Sequence, residues 1–393
     1  MSELVVRAYN VGFGDAVLVS IPERNGGRGE TIRHLLIDVG NLLTGAANAD
    51  AVFLDVVQDI IDRTGGEVDL YVMTHEHLDH AQGLLSAFRK GIKLGARYAW
   101  LTGSAHPEYY ERNPQARKRK LETERTLEDA GRALEAAPDP ELELLLRNNS
   151  PLHASGKLGL TTGDYIDHLR TLAPADRTHY VDRATAIGRK HPFREAKLRI
   201  LAPEPDTTTY YGRSFRGGTL TAHADQPAQP RTGRGNVPEL HEPPAGVDPG
   251  AYFDLLRSRA SGLRANLLEI DAANNNTSIV LQIEWRGWRL LFPGDAELKS
   301  WRTMNTLGLL QPVHLIKVAH HGSHNGTFEE LFDRLLPPQT PDDRDRFALI
   351  STSDGSWESV PDEETLDFYR SRCTLLDTRT VPRGEAIEVV LPG

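Results

Sequence analysis

The heptapeptide Thr74-His75-Glu76-His77-Leu78-Asp79-His80 constrains this chain more than any other stretch, with three imidazoles and two carboxylates in six consecutive positions. Just before it, Val68-Asp69-Leu70-Tyr71-Val72-Met73 is a short apolar run of strand-favouring residues. Just after it, Ala81 to Lys90 carries Leu84, Leu85 and Phe88 at helical spacing. The run therefore predicts a loop between the C-terminal end of a buried strand and a helix, where α/β proteins place their sites. Imidazole and carboxylate together suit a borderline divalent cation such as zinc. So many titratable groups at one strand end would be costly without a cation to compensate. A solvated polar loop is the competing reading, and a lone His-x-His would favour it. The complete His-x-His-x-Asp-His pattern favours metal, because every member is a ligand type at usable spacing.

A second cluster stands far downstream. Val313 to Ala319 reads as a buried strand, and it ends in His320-His321-Gly322-Ser323-His324. Around these two clusters the chain alternates strands and helices, which predicts a layered α/β core. Strands are expected at Val5–Tyr9 and Asp15–Ile21, joined through Gly12-Phe13-Gly14, and at His34–Gly40, whose end carries Asp38. A helix is expected over Asp50–Arg63, stopped by Gly65-Gly66, and a strand over Ala96–Thr102. Ser278–Trp285 and Trp288–Phe292 form a hairpin that delivers Asp295 to a strand end, where it would also cap a helix over Ala296–Leu307. Strands at Phe347–Thr352 and Ala386–Leu391, with a helix near Asp362–Ser371, complete the pattern. Asp38 can cap the end of its own strand.

Two segments interrupt this alternation. Residues 104 to 197 are charged and helical in texture, as in Ala116–Ala137, and form a helical insertion. Residues 203 to 262 are rich in Pro, Gly, Thr and Asp without periodicity, and form a long loop. The whole of 1–393 is read as one domain carrying these additions. A chain of 393 residues buries a substantial core.

No apolar run approaches the ~20 residues of a membrane span, and the first residues lack a signal peptide's basic start and apolar core. The single cysteine, Cys373, excludes an intramolecular disulfide and fits a reducing cytoplasm. A cytoplasmic protein without a membrane partner is therefore expected. The net charge of -10 argues against a protein that coats nucleic acid. The basic run Arg117-Lys118-Arg119-Lys120 reads as a solvated helix face, or as a guide for a phosphate-bearing substrate.

His75-x-His77-x-Asp79-His80 resembles the signature of the metallo-β-lactamase superfamily. Asn276-Thr277-Ser278-Ile279-Val280-Leu281, Phe292-Pro293-Gly294-Asp295 and Lys317-Val318-Ala319-His320-His321-Gly322-Ser323 are similar in content and order to the metallo-hydrolase domain of ComEC-type competence proteins. The start, Asn10-Val11-Gly12-Phe13-Gly14-Asp15-Ala16, resembles that group's opening. The likeness spans about 4 to 103 and 198 to 393.

It implies a four-layer αββα sandwich holding two divalent cations, zinc or alternatively manganese. His75 and His77 would bind one cation, Asp79 and His80 the other, and Asp295 would bridge them. A histidine of the later cluster would complete the second position, and the motif does not decide between His320 and His321. His320 is the expected ligand because it comes directly off the strand, which leaves His321 to contact substrate oxygen. His324 is a surface residue or supports the ligands from outside. An aspartate at Asp38 would orient the ligands through hydrogen bonds. Most superfamily members add a further histidine to the first cation. His106, at a strand exit, is the candidate here, and a plain loop histidine before Pro107 is the equal alternative.

A metal-dependent hydrolase is expected, in which the paired cations hold a hydroxide at neutral pH and stabilise charge on a phosphoryl or acyl oxygen. The likeness tilts toward a phosphodiester, either nucleic acid or a nucleotide-like molecule. An ester, lactone or thioester would use the same ligands, and a metal-stabilised binding module without catalysis is the reading from another class.

Overall fold

The computed structural model describes residues 2–24, 29–42, 51–136, 139–149, 162–206, 262, 264–327, 329–340, 343–354 and 360–393. Two mixed sheets dominate it. The first holds seven strands in the order β15-β1-β2-β3-β5-β7-β8. Its members are β1 (Glu3–Tyr9), β2 (Ala16–Arg24), β3 (Glu30–Val39), β5 (Leu70–Met73), β7 (Ala99–Thr102), β8 (Thr178–Val181) and β15 (Ala386–Pro392). The second holds six in the order β14-β13-β12-β11-β10-β9. These are β9 (Lys197–Ala202), β10 (Val280–Trp285), β11 (Trp288–Phe292), β12 (Leu315–Lys317), β13 (Phe347–Ile350) and β14 (Thr374–Asp377). The short strands β4 (Glu67–Val68) and β6 (Gly95–Ala96) pair separately.

Side-chain alternation along the strands divides the core. On β3, Leu35 and Ile37 enter one apolar cluster while Leu36 enters another, as a period of two requires. The first cluster joins both sheets, with Leu4, Val19 and Leu70 meeting Leu281, Ile283 and Phe292. Trp100 and Trp285 are fully buried there, and their indole N–H groups donate to the Lys190 and Pro22 carbonyls, both at 2.8 Å. The other face of the first sheet packs on helices α1 (Ala51–Thr64), α3 (Gly83–Arg89) and α7 (Thr162–Arg170). Phe53, Val56, Val57 and Ile60 form the buried stripe of α1; the last three belong to the helical face Val52, Val56, Val57, Ile60 and Ile61 read from the sequence, and Phe53 replaces Val52 at its start. The other face of the second sheet packs on α9 (Leu298–Thr306), α10 (Glu329–Leu335) and α11 (Glu363–Arg372). Asp362 caps α11, accepting from Thr365 N at 2.9 Å.

The expected helical insertion holds α4 (Tyr109–Arg112), α5 (Pro114–Ala136) and α6 (Pro140–Asn149), followed by α7. It also holds β8, which extends the first sheet by pairing in parallel with β7. Four residues, Thr178-His179-Tyr180-Val181, are too short a run to stand out among charged neighbours. A helix α8 over 264–275 packs with the insertion, Leu267 and Ile270 meeting Leu127, Leu142, Leu145 and Leu146. The basic run lies on α5, with the side chains of residues 119 and 120 outside the description. Of the expected long loop, residues 207–261 lie outside the described residues. Among the described residues no helix is long and apolar enough to cross a membrane.

Parallel pairing aligns the strand ends that matter. β3 and β5 pair in parallel, as do β11 with β12 and β12 with β13. Asp38 is the penultimate residue of β3, and the loops leaving β3, β5, β11 and β12 carry Gly40, His75 to His80, Asp295, and His320 to His321. Gly40 lies so close beneath the ligand loop that an added Cβ would meet Asp79 C and His80 N at 2.3 Å. Both obstacles are backbone, which yields poorly to overpacking. Gly40→Ala is therefore expected to destabilise the chain by more than about 2 kcal/mol, read from its urea unfolding midpoint. An unchanged midpoint would show that the loop gives way freely.

Candidate metal centre

The structure gathers residues from both sheets into one buried knot. One ligand atom each from Asp79, His80, Asp295 and His321 lies within 4.8 Å of the others, and the same holds for His75, His77 and Asp79. Asp79 is the carboxylate common to both groups, the place expected for Asp295. His80 Nε2 and His321 Nε2 approach Asp295 Oδ2 at 3.1 and 3.2 Å, and His321 Nε2 lies 3.4 Å from Asp79 Oδ2.

None of these contacts is a well-aligned hydrogen bond. His75 Nε2, His80 Nε2, His321 Nε2, Asp79 Oδ1 and Asp295 Oδ1 are all buried without a hydrogen-bonding partner. Each such atom costs about 1–3 kcal/mol when left unpaired. Five converging ligand atoms of the imidazole and carboxylate types fit divalent cations, and nothing else among the described residues satisfies them.

The opposite ring nitrogens are occupied, which fixes where each proton sits. Asp38 Oδ2 lies 2.8 Å from His80 Nδ1, and the same carboxylate accepts from Thr74 N at 2.7 Å and Thr74 Oγ1 at 2.6 Å. Asp38 reaches this position with a φ of 51°, a conformation that aspartate tolerates better than most residues. His321 Nδ1 donates to the Ser351 carbonyl at 2.8 Å, leaving Nε2 for the cluster. His77 Nε2 pairs with Asn149 Oδ1 at 2.9 Å, leaving Nδ1. Such partners fix the imidazole tautomer that a cation needs.

Two neighbours come from the insertion. Asn149 is the last residue of α6, and its Nδ2 donates to Asp271 Oδ1 at 2.7 Å. Asn148 Oδ1 accepts from Leu78 N at 3.1 Å and Asp79 N at 3.4 Å, capping the short helix α2 (Leu78–Ala81), for which His77 supplies no side-chain cap. The insertion therefore shapes the ligand loop as well as extending the surface.

Opposite charges offset one another in part within the knot. Burial opposes the charged form of His80, yet Asp295, Asp38 and Asp79 raise its imidazole well above the ordinary range. His321 is likewise pushed to about 9, burial being outweighed by Asp295 and Asp79. Burial and the neighbouring imidazoles hold His75 well below the usual value, so it is neutral. Asp295 stays ionised against its burial because His321, His80 and Lys317 surround it. The Lys317 ammonium, itself buried, ion-pairs with Asp15 and lies 3.6 Å from Asp295 Oδ1.

Not every expected residue joins the knot. Of the two adjacent histidines, His321 and not His320 sits with Asp79, His80 and Asp295. Successive positive φ angles of 47° and 53° turn the chain here, and they send His321 inward and His320 toward Asn275 and Asn325. Leaving the strand first does not decide which ring points in. His106 joins none of the ligand groups. Its Nδ1 accepts from Glu108 N at 3.0 Å, and its ring packs edgewise on Tyr180. Glu76 accepts from Ser104 Oγ at 3.2 Å, and His324 is exposed. Cys373 is half-buried away from the knot, donating to the Tyr369 carbonyl.

Asp15, Lys317, Ser351, Asn148 and Asn149 were not assigned places in the site from sequence. A lone lysine inside the apolar run Val313–Ala319 was a usable signal for a buried charge pair. The two asparagines carry no such signal, since only the fold brings α6 to the loop. No family model matches the chain, and no curated protein matches it.

Two outcomes follow from these partners. Because His80 and His321 hold extra protons without a cation, metal uptake at pH 7 must release protons. Apparent affinity should rise with pH through about 9, where His321 is half-deprotonated, and go on rising as His80 loses its proton. Calorimetric titration in buffers of different ionisation enthalpy measures this, and uptake without proton release would contradict it. Asn149→Ala should weaken cation binding by at least about tenfold, read by competition with a chromophoric chelator, whereas an unchanged affinity would remove Asn149 from the site.

Proposed function

We propose that this chain is a metal-dependent hydrolase of the metallo-β-lactamase type, acting on a phosphodiester through two divalent cations. The observation that carries the reading is the convergence of five unpaired ligand atoms from His75, Asp79, His80, Asp295 and His321 in one buried place. In this reading the helices against both outer sheet faces make a four-layer αββα sandwich. The likeness to the ComEC-type domain supplies the phosphodiester class. The imidazole-rich donor set favours zinc, with manganese as the alternative.

His75 Nε2, His77 Nδ1 and Asp79 would hold one cation, and Asp79, His80 Nε2, Asp295 and His321 Nε2 the other. Bound there, the pair supplies an ionisable water near neutral pH and offsets charge on a phosphoryl oxygen. The chain's own groups do the rest. Asp38 and the Ser351 carbonyl keep protons on the far nitrogens of His80 and His321. Asn149 orients His77 from the insertion. Lys317 adds to His321 and His80 in keeping Asp295 ionised and offsets the excess of carboxylates. Burial of every one of these ligands excludes bulk water from the cluster.

The test is hydrolysis of bis(p-nitrophenyl) phosphate beside DNA, RNA and lactones by metal-loaded protein. Asp295→Ala should lose more than about a hundredfold in rate, beyond the cost of removing an outer hydrogen-bond partner. Activity surviving Asp295→Ala or Asp79→Ala would refute the assignment. Turnover of lactones alone would move the substrate class to esters, and inertness toward the whole panel would leave a binding module.

A further inference from the structure

A third group of ligand types lies beside the knot, outside the sets just assigned. Ligand atoms of Asp271, Glu297 and His320 fall within 4.8 Å of one another. Asp271 and Asn275 stand four residues apart on α8 and so share a helix face. Glu297 follows Asp295 by two residues, and His320 leaves β12. The group is contiguous with the first ligand set, since Asp271 Oδ1 lies 3.8 Å from His77 Nε2.

Three acceptors point at a single amide nitrogen. Asn275 Nδ2 lies 2.8 Å from Glu297 Oε1, 3.1 Å from Asp271 Oδ2 and 3.3 Å from His320 Nε2. An amide nitrogen carries two hydrogens, so it cannot satisfy three acceptors. The other half of the same fully buried amide, Asn275 Oδ1, has no hydrogen-bonding partner. His320 Nδ1 pairs with Asn325 Oδ1 at 3.0 Å, which leaves the Nε2 lone pair toward Asn275.

The charge is also unbalanced. Asp271 and Glu297 are both buried, and among the described residues neither pairs with a lysine or arginine. Their only cationic candidates are imidazoles, His77 for Asp271 and His320 at 3.4 Å for Glu297. Two buried carboxylates facing one another need a cation or they are costly to keep ionised.

We propose that Asp271, Glu297, His320 and Asn275 form a third divalent-cation site, next to the paired one and separate from it. Turning the Asn275 amide over presents Oδ1 in place of Nδ2, which completes a set of three oxygens and one imidazole nitrogen. That donor set is harder than the histidine-rich knot and suits Mn2+ better than zinc.

The experiment counts divalent cations per chain, zinc plus manganese, on the full-length protein loaded with both and freed of excess. The expected totals are three for the native chain, two for Glu297→Gln and for Asp271→Asn, and one for Asp79→Ala, which removes the carboxylate common to the paired groups. Asn275→Asp should raise Mn2+ affinity at least tenfold and make thermal stability depend on Mn2+, since it adds a third carboxylate to the same spot. A native total of two, unchanged in Glu297→Gln, would overturn the third site and leave the paired one standing. A native total of one that survives Asp79→Ala would keep this site and sink the paired one. Should Glu297→Gln fail to fold, Asp271→Asn and Asn275→Asp decide; an Asn275→Asp chain that is destabilised and not rescued by Mn2+ would show a hydrogen-bond network only.

Discussion

A buried crowd of carboxylates and imidazoles, held at the meeting point of two sheets, is the constraint that the rest of this structure serves. Asp15, Asp38, Asp79 and Asp295 are all buried within reach of His75, His77, His80 and His321. Burying four carboxylates this closely is tolerable only with compensating positive charge. Lys317 and protonated imidazoles supply part of it, and the five ligand atoms that remain unpaired mark where cations would supply the rest.

The fold brings these groups together by bonding the sheets at their loops. Ile279 N donates to the Thr74 carbonyl at 2.9 Å, and Thr102 Oγ1 donates to the Thr277 carbonyl at 2.8 Å. Gly294, with a φ of 56°, packs so tightly on Thr74 that an added Cβ would lie 2.9 Å from Thr74 Cβ. Glycine suits both demands, the left-handed backbone and the absence of a side chain. That contact places Asp295, from the second sheet, beside the histidines of the first. Asp15 N donates to the Asp79 carbonyl, and Ser351 Oγ to the Gly14 carbonyl. The ligand loop is thus clamped by backbone from three other segments, which is the support a metal site requires.

Much of this was legible in the sequence, for physical reasons. Apolar runs and alternation found most of the strands, and the stripe of Val52, Val56, Val57, Ile60 and Ile61 found α1, because burial imposes those periods directly. The two histidine runs stood at strand ends, and the fold brings those ends together. Other parts could not be read. Strands β8 and β14 are short, partly polar runs among charged neighbours, unlike the equally short but wholly buried β5. The choice between His320 and His321 depended on two successive left-handed residues, a conformation that neither histidine advertises. Asn148 and Asn149 reach the ligand loop across 69 to 72 positions of chain, a separation at which local pattern carries no information.

Anomalous diffraction from crystals of metal-loaded protein, recorded on both sides of the metal's absorption edge, tests the central claim most directly. Apart from the third site proposed at Asp271, Glu297 and His320, the account predicts two peaks about 3.5–4 Å apart, one among His75, His77 and Asp79 and one among Asp79, His80, Asp295 and His321. An edge-dependent map without a peak between those side chains, in protein shown to carry stoichiometric metal, would contradict it.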